Sequence, residues 1–465
     1  MNIKSKYIIL IAVAFLAQSC FVAKDYKRPQ IETENLYRTE VASADSLSLA
    51  DISWNTLFTD PILQRHIQDG LQHNIDIQIA MQNIVAAEAT MKQGRAGYLP
   101  TLDLGVDWTH QELSRNTQFG KLLSDTNTDQ YQLAGSLSWE ADIWGKIRSA
   151  KRASNAEYLR TVAASQAVKT QLIADIASTY FQLLSTDAQI KLAEETLTNR
   201  SKSIETIIAL KEAGNVTEVG VKQTEAQKFA TEIIIADLNN RVSVLENAMR
   251  FLLGKAPGAI ERSTLDAQKF NSEVLTGVPA TLLRNRPDVI AAEYALISNF
   301  EQVNIARSNF YPSFRITASG GFQSIDLKEW FSANSLFANV VSGLTQPLLN
   351  QRRIRTQNEI AKANQQVAYL QFENSLLNGG REVSDALAQY QNESYKIDIR
   401  TKQVDALVKA ASYSDELLTY GLANYLEVLT AKDNALYTQL DLIDNRYRQL
   451  NATIQLYRAL GGGWK

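Results

Sequence analysis

The stretch DIQIAMQNIVAAEATMKQGRAGYLP at residues 76–100 returns in outline as DVIAAEYALISNFEQVNIARSNFYP at residues 288–312. At an offset of 212 positions, Asp76, Ala80, Arg95 and Pro100 recur as Asp288, Ala292, Arg307 and Pro312. Further on the offset becomes 207, and it relates Leu137, Ile147, Arg148, Gly214 and Gly254 to Leu344, Ile354, Arg355, Gly421 and Gly461. Two copies of about 200 residues each are too long for solenoid units, so they predict a duplicated domain packed about one pseudo-symmetry axis.

The composition excludes several classes of function. The 465 residues carry a net charge of −3 with 21% charged side chains, which leaves no basic surface for nucleic acid. The one cysteine, Cys20, excludes a disulfide framework and a thiolate metal site. The three histidines have no recognised ligand spacing, and neither a Gly-rich phosphate loop nor a Ser-His-Asp order appears. The sequence therefore predicts no metal, no cofactor and no enzyme.

The N-terminus has the layout of a bacterial export signal. Lys4 and Lys6 precede a short apolar run, and small residues then lead to Cys20. We expect a signal peptide over 1–19 and a lipid on Cys20, which begins an extended segment over 20–60. An ordinary cleaved signal with an incidental cysteine is the alternative, because Ala17 stands where a lipobox prefers leucine.

Two alternating segments predict β-hairpins over 101–140 and 313–346. In the first, Leu102, Leu104, Val106 and Trp108 share one face, while polar or small residues occupy the other. Aromatic residues stand near the strand ends, as they do at a membrane interface. No continuous apolar run approaches 18 residues, so any membrane crossing has to be made by strands.

Between the hairpins and beyond them the sequence predicts very long helices. The 68 residues over 146–213 contain neither Gly nor Pro, and a helix of that length measures about 100 Å. Helices over 146–253 and 351–460 are expected to reverse at Gly214–Thr217 and Gly421–Asn424, and Gly379-Gly380 to interrupt the second copy once. The predicted organisation is therefore repeat 1 at 61–254, a connector at 255–285 and repeat 2 at 286–465.

Four strands are too few to close a barrel, and an open edge facing lipid would leave backbone groups unsatisfied. The sequence therefore predicts an oligomer that pools its strands into one barrel continuous with a tube of helices.

Several segments also resemble a known family, the TolC/OprM-type outer-membrane efflux factors, in particular their NodT-like lipoprotein branch. The segments that carry the resemblance are Asp25-Tyr26-Lys27-Arg28-Pro29, Trp54 with Leu57 to Pro61 and Leu63, Asn74-Ile75-Asp76, Leu282 to Val289, and Ala306-Arg307 with Phe310 to Ser313. One departure is Ala23-Lys24, where the branch usually has Gly-Pro.

The resemblance implies an α+β membrane protein. Three chains would form a 12-stranded outer-membrane β-barrel, four strands from each, continuous with a 12-helix periplasmic α-barrel, with a mixed equatorial region. The homotrimer would sit in the outer membrane of a Gram-negative bacterium, lipid-anchored and reaching into the periplasm. Docked to a periplasmic adaptor and an inner-membrane pump, it would passively conduct solutes outward.

The resemblance also implies two sites. The helix turns would be adaptor-contacting tips, formed by Gly214, Asn215, Val216, Thr217, Gly421, Leu422, Ala423 and Asn424. The family's periplasmic gate has a leucine and, four residues later, an aspartate; here those positions are Leu426 and Thr430. Because the aspartate is missing, we expect Asp433, seven residues after Leu426, to supply an acidic ring. The alternatives are ordinary hairpin turns and a solvated or salt-bridged Asp433.

Two other functions are compatible with parts of the sequence. Asp103 and Asp107 suggest a paired-carboxylate hydrolase, but the lumen of a barrel simply prefers polar side chains. A surface-anchored coiled-coil lipoprotein, acting as adhesin or scaffold, would explain the long helices and Cys20 but not the two hairpins.

Overall fold

The computed structural model describes residues 22–31, 36–38, 48–118, 120–122, 125–268 and 282–465. The chain divides into two compact units, each of which takes segments from both repeats. The strand unit comprises the described residues of 1–30, 85–160 and 292–372. The helix unit comprises those of 31–84, 161–291 and 373–465. The predicted signal and Cys20 lie outside the described residues.

The strand unit contains an antiparallel sheet. Its strands are β1 (Thr101–Glu112), β2 (Asn127–Ala141), β3 (Ser313–Ser324) and β4 (Leu336–Thr345), in the order β1-β2-β3-β4. The two repeats each supply one hairpin, and β2 and β3 join them with Gly135 opposite Gly320. This confirms the predicted strands. Within the described chain β1 and β4 each have one unpaired edge, a position that invites pairing with another strand.

One face of the sheet exposes a row of large apolar side chains. Leu102, Leu104, Val106 and Trp108 of β1 are 65–77% exposed, and β4 exposes Leu336, Val340 and Leu344. Opposite the β1 residues stand Leu137, Gly135, Leu133 and Tyr131 of β2. A soluble monomer rarely exposes a contiguous apolar patch of this kind, so the face is built to be covered.

Helices make up most of the rest of the described chain. The shorter ones are α1 (Trp54–Leu57), α2 (Pro61–His73), α3 (Ile75–Ala96), α6 (Leu282–Asn285) and α7 (Pro287–Ser308). The long ones are α4 (Lys146–Glu212), α5 (Glu218–Leu252), α8 (Arg353–Thr419) and α9 (Tyr425–Ala459). Both α4 and α8 have 67 residues, which corresponds to about 100 Å. None of the described helices has the length and apolar character needed to cross a bilayer.

The predicted interruption at Gly379-Gly380 is wrong, because α8 runs through both glycines. A Cβ on Gly380 would lie 2.5 Å from the side chain of Leu36, and one on Gly379 would press on the guanidinium of Arg286. The two glycines therefore allow close packing against the helix and do not break it.

The segment expected to be extended is partly folded and docked. In the strand unit, Arg28 makes two 2.6 Å hydrogen bonds to Glu293, and the backbone of Lys24 exchanges hydrogen bonds with the Asn304 amide. In the helix unit, a capping box between Ser48 and Asp51 stabilises a short 3-10 turn before α1. These polar side chains have partners, so the segment does not stay a free tether.

A buried carboxylate holds the beginning of α2 in the helix unit. Asp60 accepts hydrogen bonds from the Ile62 amide at 2.8 Å, the Tyr180 hydroxyl at 2.8 Å and Gln268 at 2.9 Å, and a further one from Ser263. Burial acts to raise the pKa of Asp60, but these hydrogen bonds outweigh it and lower the pKa.

Candidate functional site

Two tight turns in the helix unit join the long helices in pairs. Gly214 (φ +78°) follows α4, and Gly421 (φ +69°) follows α8. At the first turn the Gly214 and Asn215 amides donate to the Lys211 and Leu210 carbonyls, at 2.9 Å each, and the second turn repeats this pattern. This is the Schellman arrangement, and the positive φ requires glycine although a Cβ would meet nothing within 4 Å.

The turns present short exposed loops. Asn215, Thr217, Leu422 and Asn424 are exposed together with both glycines, whereas Val216 and Ala423 are partly covered. Asn424 caps α9 by accepting a hydrogen bond from the Leu426 amide at 3.0 Å. The structure thus presents most of the predicted tip residues at the surface of the chain.

A small apolar cluster ties the two turns together. Ile207, Val221 and Tyr425 are buried, and Leu210, Val216, Leu418 and Leu429 pack against them. The hydroxyl oxygens of Thr224 on α5 and Tyr425 on α9 lie 2.5 Å apart. The two repeats are therefore fixed to each other directly beside the turns.

The first turns of α9 expose one stripe. Leu426 is 52% exposed, and Glu427, Thr430 and Asn434 are exposed beside it. Thr430 donates its hydroxyl hydrogen to the Leu426 carbonyl at 2.8 Å, so its methyl group and Leu426 form the apolar part of the stripe. Both residues of the predicted leucine-threonine pair are thus available to a neighbouring surface.

Asp433 is directed elsewhere. Its carboxylate is paired with Arg200 of α4, whose side chain is 9% exposed and which also hydrogen-bonds Gln227 of α5. Burial raises the pKa of the Asp433 carboxyl, and Arg200 opposes this rise. In this chain Asp433 is salt-bridged, as the alternative prediction had it, and it does not join Leu426 on the exposed stripe.

Sequence reasoning missed Glu427. Its side chain is exposed next to Leu426, and among the described residues it has no ion-pair partner. The signal was available, since positions 426, 427 and 430 lie on one side of a helix. The Arg200 pairing could not be found in this way, because it joins residues 233 positions apart.

In the part of the chain that the structure describes, no group of three His, Cys, Asp or Glu side chains could hold a metal ion.

Comparison with known proteins identifies the family to which this chain is similar. A family model described as outer membrane efflux protein matches residues 66–255 and 278–462. The solvent efflux pump outer membrane protein SrpC of Pseudomonas putida is 30% identical, with 99% of each chain covered. The probable outer membrane lipoprotein SilC of Salmonella typhimurium is 26% identical over 99% of each.

A solved structure extends the likeness to the fold. A crystal structure of CusC, described with conformational changes that accompany folding and transmembrane channel formation, superposes with a TM-score of 0.84. It is 26% identical, and the match covers 95% of this chain and 99% of that one.

Proposed function

The chain belongs to the outer membrane efflux protein family and acts as the outer-membrane channel of an efflux system, and we propose that three copies build its conduit. Each copy contributes the four-stranded sheet. The unpaired edges of β1 and β4 support this proposal, since a lipid-facing sheet cannot leave its edge groups without hydrogen bonds. Pairing β4 of one copy with β1 of the next closes a 12-stranded barrel with its apolar row toward lipid.

Each repeat combines one β-hairpin of the sheet with a 67-residue helix, and this combination is the observation that carries the proposal. Each repeat adds one such helix and one 35-residue partner, α5 or α9. Three chains thus supply the members of a 12-helix periplasmic tunnel. A cyclic trimer is closed and leaves no strand edge unpaired.

We further propose that the turn residues at 214–217 and 421–424 meet a periplasmic adaptor, which couples the channel to an inner-membrane pump. Exposed asparagine and threonine side chains with one exposed leucine, Leu422, suit a small polar interface with an apolar anchor. The small apolar cluster around Ile207, Val221 and Tyr425 supports this role because it holds the base of both loops in place.

The gate is proposed at the start of α9. Three copies of Leu426 and Thr430 would form an apolar constriction, and three copies of Glu427 an acidic ring that favours cations. Asp433, paired with Arg200, would hold α9 against α4 in place of lining the pore.

Attachment by lipid at Cys20 is proposed on the lipobox-like sequence that precedes it. The name of SilC, an outer membrane lipoprotein, supports it. Within this scheme the pump selects the cargo and the channel is permissive and carries out no chemistry.

Reconstitution tests the conduit. Purified protein should migrate as a trimer before heating and as a monomer after it, and it should conduct ions in planar bilayers. A matched preparation with the hairpin 313–346 deleted should do neither. A protease-exposed rod without conductance would refute the channel and favour the adhesin or scaffold.

A further inference from the structure

The internal duplication places two versions of one charged arrangement in the helix unit. In repeat 2, Arg286 makes two hydrogen bonds to Asp288, at 3.0 and 2.6 Å, and one each to Glu382 at 2.9 Å and the Ala459 carbonyl at 2.8 Å. Arg286 is 4% exposed, so its charge is neutralised inside the protein by carboxylates.

Repeat 1 keeps the carboxylates but not the arginine. At the offsets of 212 and 207 positions, the counterparts of Arg286, Asp288 and Glu382 are Asn74, Asp76 and Asp175. The backbone contact is kept, because the Asn74 amide donates to the Leu252 carbonyl at 2.9 Å, as Arg286 does to Ala459. The neutral Asn74 side chain cannot pair with either aspartate.

Asp76 and Asp175 line one cavity of about 610 Å³. Among the described residues neither has an ion-pair partner, and Asp175 accepts a hydrogen bond only from the neutral Gln171, at 2.7 Å. The two arginines in the cavity wall are engaged: Arg286 as described, and Arg458 with Gln171 and Glu382. The cavity wall therefore carries three carboxylates, those of Asp76, Asp175 and Asp288, against these two guanidinium groups.

A buried hydroxyl marks the same cavity independently. Thr170 is 6% exposed, and its Oγ1 has no hydrogen-bond partner within the described residues. A buried polar atom of this kind ordinarily has a partner. Ile79, Leu172 and Leu252 supply apolar surface to the wall, which also includes the neutral polar side chains of Asn74, Asn83 and Gln171.

We propose that this cavity binds a small organic cation with a guanidinium or primary ammonium head and a short alkyl chain. The head pairs with Asp76 and Asp175 and donates to the Thr170 hydroxyl, while the alkyl chain lies on the apolar side chains of the wall. The ligand thus supplies in repeat 1 the group that Arg286 supplies in repeat 2. Burial raises the pKa of Asp175, while the hydrogen bond from Gln171 and the charge of Arg458 oppose the rise.

The probe is n-butylguanidinium, and its neutral counterpart is n-butylurea, which has a similar size and shape. Full-length protein in detergent is titrated with each by calorimetry and by saturation-transfer NMR. The cation should bind with a dissociation constant of about 1 mM or below, and the urea at least about tenfold more weakly.

Two variants locate the site. Asp175→Asn should weaken butylguanidinium binding about tenfold, and Thr170→Val a few-fold, at unchanged melting temperature. The control, Asp398→Asn, removes an exposed carboxylate of α8 and should bind as the parent does.

Equal binding of the cation and the urea would overturn the proposal, as would parent-like binding by Asp175→Asn. If Asp175→Asn fails to assemble, butylguanidinium binding by Thr170→Val and the comparison of butylguanidinium with butylurea still test the proposal. Conduction is not the readout, so failure here leaves the channel assignment untouched.

Discussion

At the scale of single residues, the turn between β4 and α8 carries backbone strain. Gln351 and Arg352 have φ values of 54° and 63°, a region that costs a side-chain-bearing residue about 1–2 kcal/mol. Glycine adopts it freely. Repeat 2 therefore begins its long helix at the expense of local stability.

We expect Gln351→Gly to raise the melting temperature, with a gain of about 0.5–1 kcal/mol after the entropy that glycine adds to the unfolded chain. Gln351→Ala is the control, since alanine keeps the strain and should give no gain. Thermal unfolding of the two purified variants compares them. A glycine variant less stable than the alanine variant would show that the turn is not strained.

The two acidic residues near the start of α9 should behave differently. Glu427→Gln should reduce the cation preference of single channels, because an exposed carboxylate leaves the proposed gate. Asp433→Asn should leave selectivity close to that of the parent but cost about 2 kcal/mol of stability, since Arg200 loses its buried partner. Reversal potentials in a salt gradient and melting temperatures separate the two. The opposite pattern would restore Asp433 as the acidic ring.

At the scale of elements, the hydrogen bond between Thr224 and Tyr425 links α5 to α9. Tyr425→Phe should cost about 1 kcal/mol, and the double variant with Thr224→Val should show coupling of similar size. Hydrogen exchange at 207–221 and 418–429 should then quicken. Tyr420→Phe, at an exposed site in the adjoining turn, is the control and should leave exchange unchanged. Additive single effects would mean that the contact does not join the helices.

The Asp60 network makes the attachment of α2 dependent on pH. The lowered pKa of Asp60 means that its contribution to stability is present above the unfolded value of about 3.9 and is lost as pH falls through the folded pKa. At pH 7, Asp60→Asn should therefore be about 2–3 kcal/mol less stable than the parent and should melt at a lower temperature. This difference in stability should shrink below about pH 4. Melting curves from pH 3 to 7 test this. A constant difference would mean that the charge is not involved.

The strands and helices could be predicted from the sequence wherever the local residue pattern determines the secondary structure. Alternation placed the strands, and the scarcity of Gly and Pro placed the long helices. The prediction failed at Gly379-Gly380, where the reason for glycine is the approach of Leu36 and Arg286 from distant parts of the chain. For the same reason the Arg200 partner of Asp433 was out of reach, because no local pattern records a contact 233 positions away.

At the scale of the whole molecule, duplication accounts for both the proposed conduit and the cavity. In the proposed trimer, six similar repeats surround one axis, so a contact kept in both repeats occurs six times. A contact altered in one repeat, such as Arg286 against Asn74, occurs three times and distinguishes alternate positions. The positions at which the two repeats differ are therefore the places where this chain can acquire properties that the ring of helices does not need.

The sheet gives the sharpest test of assembly. Leu104 on the apolar face is 77% exposed, and its neighbour Asp103 points to the opposite face of the same strand. Leu104→Lys should place three ammonium groups in lipid, at about 2–4 kcal/mol each near the midplane, and abolish the heat-modifiable trimer in outer-membrane fractions. Asp103→Lys, which makes a larger charge change one residue away, should assemble normally because its side chain meets water. Equal assembly of both variants would mean that lipid does not cover the apolar row, and the reverse result would mean that the two faces of β1 are exchanged.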